Sequence, residues 1–172
     1  VNNASLVFTA EDMTIRPTDL AVSSFGQRFQ VTPLQMITMV SAIVDDGNLK
    51  TPHIVKQILN ADGTVRETIN SEVKRQVISA ETSQFMRDAM EAVVSEGTGK
   101  NAYVAGYRVG GKTATSEIQG QPDDEEKRYT ASFIGVAPMD DPQIAVLVAI
   151  QDLPESAPHG GGAIAAPIVG RI

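Results

Sequence analysis

Apolar residues in this chain fall into two helical stripes and a series of strand-length runs. The first stripe is Leu34, Met36, Ile37, Val40, Ile43 and Val44, a spacing that predicts an amphipathic helix. Its start is written into Thr32-Pro33-Leu34-Gln35. Thr32 can accept from an orphan backbone N–H, Pro33 suits the first helical position, and Gln35 can reach back to complete a capping box. Gly47 supplies a left-handed stop. A second helix is predicted from a cap at Ser79 to Gly97, burying Phe85, Met86, Ala89, Met90, Val93 and Val94. Between the helices, Ile54 to Leu59 and Thr64 to Thr68 flank Asp62-Gly63, a hairpin signal. Three longer strands are predicted next: Tyr103 to Ile118, Tyr129 to Ala137, and Gln143 to Gln151, the last two joined by a turn at Asp140-Asp141-Pro142. Ile144 to Ile150 is continuously apolar, which predicts a strand covered on both faces. Residues 1–31 read as irregular, with Pro17 and Ser23-Ser24-Phe25-Gly26 pointing to loop. After the glycines at 160–162, Ala163 to Ile172 reads as the start of a helix. The order is mixed α/β, without an internal repeat.

Composition narrows the classes of function. With 172 residues and 42 % hydrophobic content, the chain is long enough to bury a core. The net charge of −7 and a pI near 4.8 argue against DNA, RNA or an anionic membrane surface as partner. There is no cysteine, which excludes disulfides and thiolate metal sites. The two histidines, His53 and His159, are far apart in sequence, so a histidine-rich metal site is not expected. No apolar run reaches the roughly 18 residues of a membrane-spanning helix. The start, Val1-Asn2-Asn3-Ala4, has neither an initiator methionine nor the build of a signal peptide.

The most informative stretch is Gly110-Gly111-Lys112-Thr113-Ala114-Thr115. It places a lysine and two hydroxyls among small residues on a predicted strand, followed by a polar acidic loop. An ammonium beside hydroxyls, with room for a ligand's backbone, suits holding a carboxylate and polarising a carbonyl. No residue in the sequence stands out as the nucleophile such a site would serve.

Five segments in one order then carry a resemblance: Ser24-Phe25-Gly26-Gln27 with Val31 to Met36; Gly97-Thr98-Gly99; Gly106-Tyr107 with Gly110 to Thr115; Phe133 to Pro138; and His159 to Gly162 with Ala165-Ala166-Pro167. Together they resemble the C-terminal part of the transpeptidase domain of class B penicillin-binding proteins. The resemblance implies an α/β (α+β) fold, an antiparallel sheet with helices packed on both faces. Residues 1–172 would form the C-terminal portion of that single domain, lacking the half that bears the nucleophile. The strand at 143–151 would then present an unpaired apolar edge, through which the chain would self-associate unless the missing half covers it.

The chemistry the resemblance implies is a serine D,D-transpeptidase that cross-links peptidoglycan. A serine in Ser-x-x-Lys attacks the carbonyl between two D-alanines, and an amine of a neighbouring strand resolves the acyl-enzyme. Its partners would be stem peptides ending in D-Ala-D-Ala and β-lactam antibiotics, with no cofactor and no nucleic acid. The setting would be the outer face of a bacterial membrane, with the parent anchored by an N-terminal segment. By the same resemblance, Lys112 assists proton movement and charge, and Thr113 and Thr115 hold the substrate's carboxylate. The backbone N–H of Thr115 would supply an oxyanion-hole donor, worth about 3 kcal/mol in comparable sites. A β-lactam sensor, a D,D-carboxypeptidase and a non-catalytic structural module of the same fold are the alternatives.

Several residues carry weaker signals. Ser71-Glu72-Val73-Lys74 fits Ser-x-x-Lys in letters, yet it lies in a polar stretch between the two helices and reads as solvated surface. Asp123-Asp124-Glu125-Glu126 lacks the glycine and final glutamate of a calcium loop and reads as a solvated connection. His159 is expected to cap or pack, and Met36, Met39, Met86 and Met90 to fill the core. Asn3-Ala4-Ser5 is a formal glycosylation sequon. Finally, Ala114 stands where the family usually has glycine, beside the substrate-binding threonines. A methyl there is expected to be accommodated by a small shift. In a protein carrying this chain with its nucleophile, Ala114→Gly should change the rate of β-lactam acylation by less than about tenfold, or about 1.4 kcal/mol; stopped-flow acylation would reveal a larger effect if the methyl shapes the site.

Overall fold

The computed structural model describes residues 9, 11, 17–24, 26, 29–118, 120–122 and 124–172. The chain divides into two compact units, residues 1–36 and 37–172. The first contains α1, Pro17–Ser23, where irregular chain was expected. Pro17 is the first residue of this helix rather than a loop marker, a position where its missing N–H costs nothing. The helix ends with the Ser24 hydroxyl donating to the Ala21 carbonyl at 2.7 Å and Gly26 in the left-handed region. The sequon at residues 3–5 lies outside the described residues, as do Phe25 and Gln27 of the first resembling segment.

Helix α2, Pro33–Val44, begins as its sequence dictates. Thr32 N–H donates to Gln35 Oε1 at 2.8 Å, and Gln35 N–H donates to Thr32 Oγ1 at 3.2 Å, a complete capping box. Val40, Ala42 and Val44 are buried, whereas Leu34 and Met39 are exposed. The core therefore takes only the C-terminal half of the expected stripe. Helix α3, Ala80–Ser95, is capped by Ser79, whose hydroxyl accepts from Thr82 N–H. Its buried positions are Ser83, Met90 and Val94. Phe85, expected inside, is 70 % exposed, and Ala89 is exposed as well. The helix is rotated so that the 83–90–94 line faces inward. What selects that face is partly polar: Ser83 Oγ donates to the Ile43 carbonyl at 2.6 Å and Arg87 Nη1 to the Val44 carbonyl at 2.9 Å. These are C-terminal carbonyls of α2 that have no partner within the helix, and a guanidinium at that end also complements the helix dipole.

Between the helices the chain forms two small ladders. Strands β1 (Asn48–Lys50) and β4 (Val73–Gln76) pair antiparallel, a closure the sequence did not signal. Within it, β2 (Gln57–Leu59) and β3 (Val65–Thr68) form the expected hairpin. At its turn, Asp62 accepts from the Thr64 N–H and hydroxyl, which holds its carboxyl below the usual range. Every residue of β2 and β3 is exposed.

The main sheet has order β5-β6-β7, all antiparallel, with β5 Gly110–Glu117, β6 Arg128–Ala137 and β7 Ile144–Pro154. The mixed helix-and-antiparallel-sheet class is thus borne out. The strand expected from Tyr103 begins only at Gly110. A 3-10 turn at Lys100–Ala102 and Gly106, with φ near 86°, bend the chain first. Helices α4 (Gly161–Ile164) and α5 (Ala166–Val169) replace the single C-terminal helix. Pro167 has no N–H to continue the hydrogen-bond ladder from α4.

One hydrophobic cluster holds the sheet. Phe133 is fully buried among Val94, Ala102, Val109, Ala165, Ala166 and Val169, with Val146 and Val148 against it. Side chains alternate along a strand, so the face of Phe133 also carries Ala131 and Gly135 of β6 and, by register, Gly111, Thr113 and Thr115 of β5. A Cβ on Gly111 would stand 2.5 Å from the Phe133 ring, so glycine is the residue that lets the ring approach β5 this closely. Strand β7 departs from expectation: none of its residues is buried and Ile144 is 60 % exposed. Its apolar run is a half-covered edge, with β6 its sole pairing partner among the described residues.

The approach to β5 is tied to α3 by a two-pronged ion pair. Arg108 Nε donates to Glu91 Oε1 at 2.9 Å and Nη2 to Oε2 at 2.6 Å. This hydrogen bonding holds the Glu91 carboxyl below its usual pKa; burial opposes it, and the charge of Arg108 adds to the lowering. A carboxyl depressed in the native state adds stability above its unfolded pKa, and that stability is lost as pH falls through the native value. Glu91→Gln should therefore lower the urea midpoint at pH 7, and the deficit should shrink once the pH drops below about 4. A deficit unchanged down to pH 2 would place its origin in packing instead.

Candidate active site

Strand β5 lies along one edge of the sheet, and its register decides which atoms that edge offers. In an antiparallel pair, opposed residues alternate between exchanging both backbone bonds and exchanging none. Ile118 N–H donates to the Arg128 carbonyl, in line with the unbroken register from Gly110↔Val136 to Glu117↔Tyr129. Counting back in twos, Gly110, Lys112, Ala114 and Ser116 exchange bonds with β6. Gly111, Thr113, Thr115 and Glu117 consequently direct their N–H and C=O groups away from it. Among the described residues no strand pairs with that outer edge.

The predicted site residues sit together along this edge. Lys112, Ala114 and Thr115 are exposed and Thr113 is half-buried. Lys112 Nζ donates to the Thr113 carbonyl oxygen at 2.9 Å, which holds the ammonium at the outward-facing edge. Lys112 and Ala114 occupy the opposite face to Phe133. Thr113 and Thr115 occupy the same face as Phe133, where two segments back them. Gly161 N–H donates to Thr115 Oγ1 at 3.2 Å, and Thr113 Oγ1 is 3.1 Å from Thr98 Oγ1.

Of the glycines at 160–162, Gly161 and Gly162 are needed for this contact. A Cβ on Gly161 would collide with the Ser132 carbonyl oxygen and stand 2.5 Å from that of Ala114, so the segment lies directly on the sheet. Asn101 Nδ2 donates to the Gly162 carbonyl at 2.8 Å. His159 stacks on Tyr129 with ring centroids 4.3 Å apart, and its Nδ1 lies 2.8 Å from the Ala157 carbonyl. His159 thus packs, as expected, at the head of the glycine segment. Thr98 carried no site signal beyond membership of the Gly97-Thr98-Gly99 resemblance, and Asn101 carried none.

The decoys lie elsewhere. Ser71 precedes β4 and Lys74 lies on it, not on a helix, and Ser71 Oγ is 3.2 Å from His53 Nδ1. In the acidic loop, Glu126 accepts the Ser156 N–H at 2.8 Å; Asp123 lies outside the described residues. Among the described residues no group of three or more His, Cys, Asp or Glu is placed to hold a metal ion. Among them, too, no helix is long and apolar enough to cross a membrane.

Comparison with known proteins places this edge in a family. Residues 9–172 match the penicillin binding protein transpeptidase domain. Stage V sporulation protein D of Bacillus subtilis (strain 168) is 46 % identical over 161 residues, 92 % of this chain and 24 % of that protein. Peptidoglycan D,D-transpeptidase PbpA of Mycolicibacterium smegmatis is 32 % identical, over 87 % of this chain and 30 % of that protein. Among solved structures, the transpeptidase domain of Burkholderia pseudomallei penicillin-binding protein 3 superposes with a TM-score of 0.71 at 36 % identity, over 90 % of this chain and 44 % of that one. Mycobacterium tuberculosis penicillin-binding protein 3 complexed with aztreonam gives 0.72 at 32 %, over 90 % and 36 %. This chain belongs to the penicillin-binding protein transpeptidase family. It spans about a quarter of the length of the Bacillus subtilis relative.

Replacing Gly161 with alanine tests the packing directly. The new methyl must push the segment off β5, so Gly161→Ala should lower the unfolding free energy by about 1–3 kcal/mol and alter the amide environment of Thr115 in NMR spectra. Wild-type stability with an unshifted Thr115 signal would contradict the contact.

Proposed function

We propose that this chain supplies the carboxylate- and carbonyl-binding wall of a serine D,D-transpeptidase site, and that the nucleophilic serine comes from polypeptide outside these 172 residues. The observation that carries this reading is the outer edge of β5. There, the Thr113 and Thr115 N–H groups point away from the sheet beside the Lys112 ammonium. A peptide or β-lactam laid along that edge meets donors already in place, which is what stabilising a developing oxyanion requires. The family membership and the names of the relatives support the same chemistry.

In the proposed reaction the serine Oγ attacks the carbonyl between two D-alanines. The C–O bond forms, the C–N bond breaks, and the terminal D-alanine leaves with the proton as an amine. Thr115 N–H donates to the oxyanion, the hydroxyls of Thr113 and Thr115 hold the terminal carboxylate, and the positive charge of Lys112 stabilises the anionic groups beside it. An acceptor amine then attacks the acyl-enzyme and frees the serine. A β-lactam follows the first step by opening its ring C–N bond and remains attached. The cellular setting that fits is the extracytoplasmic face of the bacterial membrane, on stem peptides ending in D-Ala-D-Ala.

Fluorescent penicillin provides the test. The 172 residues alone should take up no label, whereas a protein carrying them with the preceding part of the domain should form a covalent adduct. Failure of the longer protein to label would favour a non-catalytic module of the same fold. Incubating a stem peptide with and without an acceptor amine separates transfer from hydrolysis: a cross-linked product supports the transpeptidase, and shortened peptide alone a carboxypeptidase.

A further inference from the structure

We infer that Thr98 is a positioning residue of this site, which orients the Thr113 hydroxyl so that its proton is directed at the ligand's carboxylate. The inference rests on the carboxylate-holding role proposed above for Thr113. A hydroxyl has one proton and two lone pairs, and a carboxylate can only accept. For Thr113 to serve the ligand as donor, any second hydroxyl touching its Oγ1 must itself donate to it. Thr98 Oγ1 lies 3.1 Å from Thr113 Oγ1, and with Thr98 as donor the two form a directed chain: Thr98 O–H to Thr113, Thr113 O–H to the carboxylate.

The neighbouring threonine shows the same arrangement without ambiguity. The partner of Thr115 Oγ1 is the backbone N–H of Gly161, which can only donate, so Thr115 accepts from behind and keeps its proton for another group. Thr98 does for Thr113 what Gly161 does for Thr115. Both supports come from closely fitted backbone. Thr98 stands between Gly97 and Gly99, and Gly99 N–H donates to the Val93 carbonyl at the end of α3. A Cβ on Gly162 would collide with the Thr98 carbonyl oxygen and lie 3.3 Å from Thr113 Cγ2. The turn, the glycine segment and β5 are therefore in mutual contact, which sets the Thr98 backbone beside Thr113. Hydrogen bonds in such a chain polarise one another, so removing the rear donor weakens the front bond without touching the ligand.

The experiment is a variant cycle in a protein that carries this chain together with its nucleophile. Second-order acylation constants are measured with a penicillin and with its methyl ester, which lacks the anionic carboxylate. Thr98→Val keeps the shape and removes the donor. It should slow acylation by the free acid roughly five- to tenfold, leave the ester rate unchanged, and leave the melting temperature close to that of the parent. Thr98→Ser should restore the free-acid rate, and Thr98→Val should add nothing in a Thr113→Val background. If Thr113→Val slows the free acid while Thr98→Val does not, the inference is overturned and the carboxylate reading stands. If Thr113→Val has no effect, the carboxylate reading itself falls and this inference with it. Equal slowing of acid and ester by Thr98→Val would mark a general structural role and would also overturn the proposal.

Discussion

Burial of the Phe133 ring against Gly111 is the contact on which the rest of the site depends. It fixes the register of β5 on β6, because a slip of one residue would turn every side chain of the strand to the other face. Such a slip would turn Lys112 and Ala114 to the face that carries the buried Phe133 ring, where an unpaired ammonium is costly. It would also swing the outward N–H groups of Thr113 and Thr115 into the ladder. One aromatic side chain with no chemistry of its own thereby determines which backbone atoms line the open edge of β5.

Around that register, the site is assembled from behind. The C-terminal segment lies on the sheet at Gly161 and Gly162, and the turn after α3 reaches the same place through Thr98 and Asn101. These are elements separated by more than forty residues from one another, so the threonine hydroxyls of β5 are oriented by two independent parts of the fold. The Glu91–Arg108 pair ties α3 to the approach of the same strand. A strand edge supported in this way is preorganised: its donors need not rearrange when charge develops on a ligand, which is the condition under which such donors are most effective.

The helices show a related division between apolar and polar selection. Hydrophobic spacing alone would turn Phe85 inward, yet the face that packs is the one carrying Ser83 and Arg87. Their hydrogen bonds satisfy the last carbonyls of α2, and a buried carbonyl left without a donor costs about 1–3 kcal/mol. A rotation that turned Phe85 inward would abandon both of these hydrogen bonds. Polar satisfaction at a helix end thus decided an orientation that an apolar count could not.

Features set by neighbours in sequence were legible in the sequence itself. The Thr32–Gln35 capping box, the Ser79 cap, the Asp62-Gly63 hairpin and the strand run from 129 to 137 depend on residues within a few positions of each other, where side-chain chemistry and backbone preference act directly. The motif at 110–115 was legible for the same reason, as was membership of the family. The structure alone decided what depends on distant partners: the β1–β4 closure, the start of β5 at Gly110 rather than Tyr103, the exposure of Phe85 and β7, and the pairing of Thr98 with Thr113. No local signal encodes these, because each is settled by which surfaces the folded chain brings into contact and which polar groups must be satisfied there.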